Sequence, residues 1–165
     1  MILKKRYFVR KDRVDDIQRM VSGFLEVYPL LWPDNAKLEV LETDKDVSFI
    51  VIDRAPVFFK KNDRYYPTLK AVLGLDLLRK TVVVDEGAVR FVVNGADIMR
   101  PGVVEFDKSI EKDDTVVVLE VKHRKPLAIG TSLLDAEGFG REKTGKVVKN
   151  VHFVGDHIWG ALEKI

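Results

Sequence analysis

The sequence contains no cysteine. That absence excludes disulfide staples, thiolate metal sites and a cysteine nucleophile, and it fits an intracellular, cytoplasmic setting. Histidine is nearly as scarce, at three residues. His152 and His157 stand five apart in a strand-to-turn region and His123 lies in a hairpin tip, so they do not converge on a metal as an i, i+4 helical pair does. Neither a metal nor a cofactor is expected. No apolar run approaches the roughly 20 residues of a membrane helix, and the basic start Lys4-Lys5-Arg6 has no signal-length apolar stretch behind it, so no membrane association is expected. Catalytic motifs are missing as well. Ser22, Ser48, Ser109 and Ser132 have no nucleophile-elbow context, Thr144-Gly145-Lys146 lacks the rest of a phosphate loop, and Glu105, Asp107, Asp113 and Asp114 read as turn carboxylates. The chain is expected not to be an enzyme.

Charge of one sign is not in excess either: 28 Lys and Arg against 26 Asp and Glu leave a net charge of +2, too small to diagnose a nucleic-acid partner. The distribution says more. Basic residues cluster at 4–13, at Lys60, Lys61 and Arg64, at 123–125 and at 141–149, and only convergence of several clusters on one face would favour phosphate. With 165 residues, 46% hydrophobic and 33% charged, there is material for one domain or two small ones.

Helical spacing of Val14, Ile17, Met20, Val21, Phe24 and Leu25 predicts a first long helix, started by Asp12 or Asp15 and stopped near Tyr28-Pro29. Strands are predicted at 37–43, 47–52 and 57–60, giving a compact α+β unit. Tyr65-Tyr66-Pro67 reads as an apolar hinge and Pro67 as the opening of a short helix through Leu69 and Leu73. The domain junction is expected within 62–75, with domains at 1–74 and 75–165. Beyond it, strands at 81–84, 96–100, 115–121, 127–133 and 147–154 predict a small closed barrel.

The segment from Asp85 to Gly102 is the most informative part of the chain. Asp85 can cap a short helix whose apolar side is Ala88, Val89, Val92 and Val93, and Asn94-Gly95 offers a left-handed exit. Glycine and alanine at both ends leave bare backbone that another molecule can approach. This pattern, followed by Met99-Arg100-Pro101-Gly102, by Leu127-Ala128-Ile129-Gly130, by Lys146 and Asn150 and by a closing Gly155-Asp156-x-x-Trp159, resembles the signature of the PUA domain. Upstream, the Tyr28-Pro29 helix end, Phe58-Phe59-Lys60 and Tyr65-Tyr66-Pro67-Thr68-Leu69 resemble the malignant-T-cell-amplified protein family, in an archaeal-type form related also to the N-terminal part of ligatin.

The resemblance implies a fold of the α+β class, a small N-terminal α+β domain packed on a C-terminal PUA β-barrel. It also implies RNA binding in translation, in initiation or recycling, with rRNA or the tRNA acceptor end as structured RNA partner. The small ribosomal subunit and a separate protein of initiation-factor-like fold are the further partners it implies. Carried over to matching positions, the RNA-binding face would comprise Gly87, Ala88, Gly95, Ala96, Asp97, Met99, Arg100, Pro101 and Gly102, with His152 and Val154 as outliers and Arg90, Lys146 and Lys149 as electrostatic support. Gly87 and Ala88 would let a helix N-terminus meet phosphate. Met99 and Pro101 would pack on a base, and Arg100 would be the main charged contact. The same glycines equally serve turn geometry alone, Asp85 and Asp97 equally serve as cap and turn, and Met99 equally serves the core. Lys60, Lys61 and Arg64 are candidates for contact with RNA or a protein partner. Two other functions fit the same residues, a protein-interaction adaptor and an RNA-specificity subunit for a modifying enzyme supplied in trans.

Overall fold

The computed structural model describes residues 1–75 and 77–165, the side chain of Val27 excepted. It divides into two units, Met1–Ala71 together with Ala161–Ile165, and Val72–Gly160.

The first unit is built on a five-stranded antiparallel meander. Its strands are β1 (Leu3–Phe8), β2 (Leu38–Thr43), β3 (Val47–Ile52), β4 (Ala55–Lys61) and β5 (Arg64–Pro67), paired in sequence order. Two of its hairpins close through two-residue turns with both residues at positive φ, Asp53-Arg54 at 47° and 74° and Asn62-Asp63 at 50° and 59°. Such turns match the right-handed twist of the flanking strands, and Asp and Asn tolerate them. The expected hinge at Tyr65-Tyr66-Pro67 is instead part of β5. Pro67 is accommodated at the end of an edge strand, and Tyr66 lies opposite Phe59 with ring centroids 5.4 Å apart.

The expected long helix breaks at Val21 into α1 (Lys11–Met20) and α2 (Ser22–Val27). Neither Asp12 nor Asp15 caps it. Arg10 occupies the cap position with no side-chain bond, and its carbonyl accepts from the amides of Arg13 and Val14. Ile17 and Val21 are buried, and Phe24 sets its ring edge against Phe58 of β4 at 6.2 Å. Tyr28 ends α2, where the sequence predicts the stop, and Pro29 opens a 3-10 turn. The short helix α3 (Leu69–Leu73) is started by Thr68, whose hydroxyl accepts from the amide of Ala71.

The second unit is a six-stranded sheet curled into a nearly closed barrel. In chain order it contains β6 (Thr81–Val84), α4 (Glu86–Val92), β7 (Ile98–Met99), β8 (Val103–Phe106), β9 (Thr115–Glu120), β10 (Pro126–Ser132), α5 (Ala136–Arg141), β11 (Lys146–Phe153) and the first four residues of α6 (His157–Leu162), whose last two belong to the first unit. The strand order is β7-β11-β10-β9-β6-β8, with β6 parallel to β9 and the other pairs antiparallel. Val82, Val84, Val116, Val118, Val147, Val148 and Phe139 fill the interior, each fully buried. Burial of each such side chain contributes about 1.5–3 kcal/mol.

The strand expected at 96–100 is cut to two residues. Pro101 has no amide to give a ladder, so the chain enters a 3-10 turn over Arg100–Gly102 and resumes as β8. The short helices α5 and α6 were not apparent in the apolar pattern. Each is announced by a capping aspartate: Asp135 accepts from the amide of Gly138 at 2.7 Å, and Asp156 from that of Trp159 at 2.7 Å. Gly130 sits at a bulge between β10 and β11, where a Cβ would lie 2.8 Å from the Lys149 carbonyl oxygen, so only glycine lets the two strands close. Among the described residues no helix is long and apolar enough to cross a membrane.

Candidate nucleic-acid interface

The segment from Asp85 to Gly102 folds back on itself around α4. Asp85 Oδ1 accepts from the Ala88 amide at 2.9 Å, while the Asp85 amide donates to the Gly102 carbonyl at 2.9 Å. Val92 is buried, and Ala88, Val89 and Val93 pack against the barrel core. That orientation turns Arg90 and Phe91 outward, with the Arg90 guanidinium 4.8 Å from the centre of the Phe91 ring. Gly95, at φ +93°, ends the helix; a Cβ there would meet the Phe153 ring at 3.1 Å. The Ala96 amide donates back to the Phe91 carbonyl at 3.0 Å.

Removing Asp85's side chain would leave the Ala88 amide only its longer bond to the Asp85 carbonyl, at 3.2 Å. Asp85→Ala is therefore expected to destabilise the second unit by about 1 kcal/mol, read as a lower midpoint in denaturant with an unchanged slope.

A cleft of about 840 Å³ opens between α4, the Gly95-Ala96-Asp97 loop and the turn after β7. Nine of the sequence-predicted residues line it together: Gly87, Ala88, Gly95, Ala96, Asp97, Met99, Pro101, Gly102 and Lys146. Phe91 joins them although the sequence pattern had not singled it out. It is 55% exposed and Met99 is 47% exposed, so two large apolar side chains stand in solvent at the cleft. Phe91 could have been found as an aromatic flanking the apolar stripe of α4.

The two glycines of the cleft wall differ. Gly102 is tightly packed, because a Cβ would come within 3.1 Å of the Ala88 Cβ and Ala88 would have to give way slightly to admit it. Gly87 is not: a Cβ there would meet only Asp85 Oδ1, at an ordinary 3.5 Å. Its missing side chain keeps the mouth of the cleft open without serving the fold.

Asp97 works as a latch. Its Oδ1 accepts from the Asn150 amide at 2.9 Å and its Oδ2 lies 3.3 Å from Lys146 Nζ. Asn150 Nδ2 donates to the carbonyls of Val92 and Ala96, each at 3.0 Å. The loop is thus pinned to β11 from both sides, and the Ala96 carbonyl is already engaged by protein.

Several sequence expectations need correcting. Arg100 does not stand free at the surface. Its Nε donates to the Phe139 carbonyl at 2.6 Å and its NH1 to the Val103 carbonyl at 3.0 Å, with the guanidinium 5.7 Å from the Phe106 ring. It braces the 3-10 turn instead of serving as the main charged contact. His152 is wholly buried, with Nδ1 2.9 Å from Asp156 Oδ2, so it belongs to the barrel core and not to a binding face. The helix expected to offer its N-terminus to phosphate has seven residues and a capping carboxylate at its start, which disfavours an anion there. Val154 is half-buried and its amide donates to Leu127. Arg90 and Lys149 are exposed beside the cleft residues in sequence without lining it. Lys60, Lys61 and Arg64 belong to the first unit. Lys60 Nζ lies 3.0 Å from Asp63, and Arg64 lies over the Tyr66 ring at 5.2 Å.

A nearly closed barrel with a capped helix, a pinned glycine loop and an open apolar cleft is the architecture of a PUA domain, and residues 80–154 match the PUA domain model. Residues 5–74 match a domain of unknown function, DUF1947. An uncharacterized protein of Methanocaldococcus jannaschii is 39% identical over 96% of this chain and 98% of its own length. The crystal structure of a hypothetical protein from Pyrococcus horikoshii superposes with a TM-score of 0.85 at 32% identity, covering 96% of this chain and 99% of that one. Translation machinery-associated protein 20 of Saccharomyces cerevisiae is 29% identical over 81% of this chain and 77% of its own. The chain belongs to the family of PUA-domain proteins that includes translation machinery-associated protein 20 and malignant T-cell-amplified sequence 1. Its PUA domain indicates RNA binding.

Proposed function

We propose that this protein is a non-catalytic RNA-binding factor of the translation apparatus, whose cleft takes an unpaired segment of rRNA or the acceptor end of tRNA. The small ribosomal subunit is its proposed place of action, alongside a separate protein of initiation-factor-like fold. The observation that carries the reading is the cleft itself: Phe91, Met99 and Pro101 stand exposed around a floor of glycine and alanine, with Lys146 at its edge. Exposed aromatic and apolar surface beside small residues suits the flat face of an unstacked base. The backbone of Ala96 is already hydrogen-bonded on both sides, so a base would be held by packing more than by main-chain bonds.

The cations available, Arg90, Lys146 and Lys149, are few, so the phosphate contribution is small. Association with an RNA carrying a single-stranded 3′ end, followed by fluorescence anisotropy, is expected to weaken with salt at a log–log slope of about −2. A blunt duplex of the same stem should bind more weakly. Absence of saturable binding to both a tRNA acceptor-stem RNA and small-subunit rRNA fragments would sink the reading.

A further inference from the structure

The free edge of the first unit's sheet is a second surface. β1 is the outermost strand and bonds only to β2. All six of its residues are exposed. Its pairing with β2 is regular from Lys5 to Phe8, with an irregularity between Leu3 and Lys5, and over the regular part an open edge of this kind presents alternate amides and carbonyls outward, ready to pair with a further strand.

Its side chains follow a block pattern. Ile2 and Leu3 precede the cations Lys4, Lys5 and Arg6, and Tyr7 and Phe8 follow them; Ile2 and Phe8 are each 68% exposed. Basic residues on an edge ordinarily guard against self-pairing, and these do. A second copy laid antiparallel about Lys5 would bring Lys5 opposite itself and Lys4 opposite Arg6, and like charges directly across a ladder repel. The complement of this strand is one with carboxylates at its centre and apolar residues at its ends.

Neighbouring residues leave that demand half met. Arg6 is held by Glu39 of β2 through bonds of 2.5 and 2.9 Å, and the Tyr7 hydroxyl donates to Glu42 at 3.0 Å. Among the described residues neither Lys4 nor Lys5 has a carboxylate within 4.0 Å, and the Lys5 ammonium rests over the Tyr7 ring at 5.0 Å. We propose that β1 is a docking edge for an extended acidic segment of a partner protein, which joins the sheet as a sixth strand with its carboxylates facing Lys4 and Lys5 and its apolar ends beside Leu3, Tyr7 and Phe8.

The test is an NMR titration of the full chain with the synthetic peptide Val-Tyr-Glu-Glu-Glu-Val-Leu. Saturable shifts centred on residues 2–8, with slowed hydrogen exchange at the outward amides of β1, are expected. The double variant Lys4→Glu/Lys5→Glu, with a melting temperature matching the parent, should bind about tenfold more weakly. A peptide with lysine in place of glutamate should not bind. Several results would overturn the proposal: no binding at about 1 mM peptide, shifts confined to other elements, or equal affinity of the double variant. Concentration-dependent dimerisation through β1 would do so by assigning the edge to a second copy, and RNA-induced shifts in β1 that exclude the peptide would do so by assigning it to nucleic acid.

Discussion

Gly87→Leu is expected to raise the stability of the protein while weakening its RNA binding, two effects of opposite sign from one residue. Glycine inside a helix costs about 0.8–1 kcal/mol relative to a good helix former. Gly87 is the second residue of α4, where the cost is smaller than in a helix interior, and a Cβ there meets nothing closer than 3.5 Å, so the substitution should recover part of it. The new side chain would stand at the mouth of the cleft. Removal of the exposed ring in Phe91→Ala tests the same surface from the other side. Base–aromatic stacking is worth about 1–3 kcal/mol, so binding should weaken roughly tenfold to a hundredfold. Adding Met99→Ala should deepen the loss. Since Phe91 and Met99 are 55% and 47% exposed, these truncations should leave the melting temperature nearly unchanged. Anisotropy with a tRNA acceptor-stem RNA, read beside thermal melts, checks all three variants. Undiminished binding by Gly87→Leu and by the Phe91→Ala/Met99→Ala double variant would remove the cleft from consideration. Arg100→Ala is the less informative choice, because its guanidinium holds the carbonyls of Phe139 and Val103 and its loss would disturb the turn that shapes the cleft.

Which parts of this molecule could be read from the chain follows the range of the forces that set them. The capped helix α4, its glycine exit and the hairpin from β9 to β10 depend on residues a few positions apart, and the pattern of Asp85, Gly95 and alternating valines specifies them locally. The residues lining the cleft were legible for the same reason, since all but Lys146 come from the one continuous stretch Asp85 to Gly102. β1 was not, because an edge strand exposed on both faces shows no alternation between apolar and polar positions. The break in the first helix at Val21 was hidden because the apolar spacing runs on through Phe24 and Leu25. The bracing of Arg100 and the partner of Asp97 were hidden because both lie far away in the chain: Phe139 lies 39 positions from Arg100, and Asn150 lies 53 from Asp97. A charged residue near glycines looks like a contact until the carbonyls that claim it are seen.

The largest loss of stability is expected at Asp156. This carboxylate accepts from the amides of Phe153 at 3.1 Å and Trp159 at 2.7 Å, and from His152 Nδ1 at 2.9 Å, while His152 is fully buried. It therefore closes β11, starts α6 and satisfies a core imidazole at once, with Gly155 at φ +89° making the turn between them. Asp156→Ala would strip all three bonds and take the carboxylate from a buried histidine, at a cost of about 3–5 kcal/mol, the range found when one partner of a buried pair is removed. Burial by itself would raise the carboxyl's pKa. The bond and charge of His152, with the Trp159 and Phe153 amides, outweigh that and hold it below the ordinary carboxylate value. A pKa depressed in the folded state contributes stability that is fully present above the unfolded value, near 3.9, and is lost as pH falls through the folded one. The isosteric variant Asp156→Asn retains the shape of the cap without the titration. The stability difference between the parent protein and Asp156→Asn, followed by denaturant unfolding, should be constant from about pH 7 to 5 as far as this carboxyl is concerned, and should shrink below about pH 4. A difference that stays level into acid would mean that the ionised carboxylate is not what holds His152, the end of β11 and the start of α6 together.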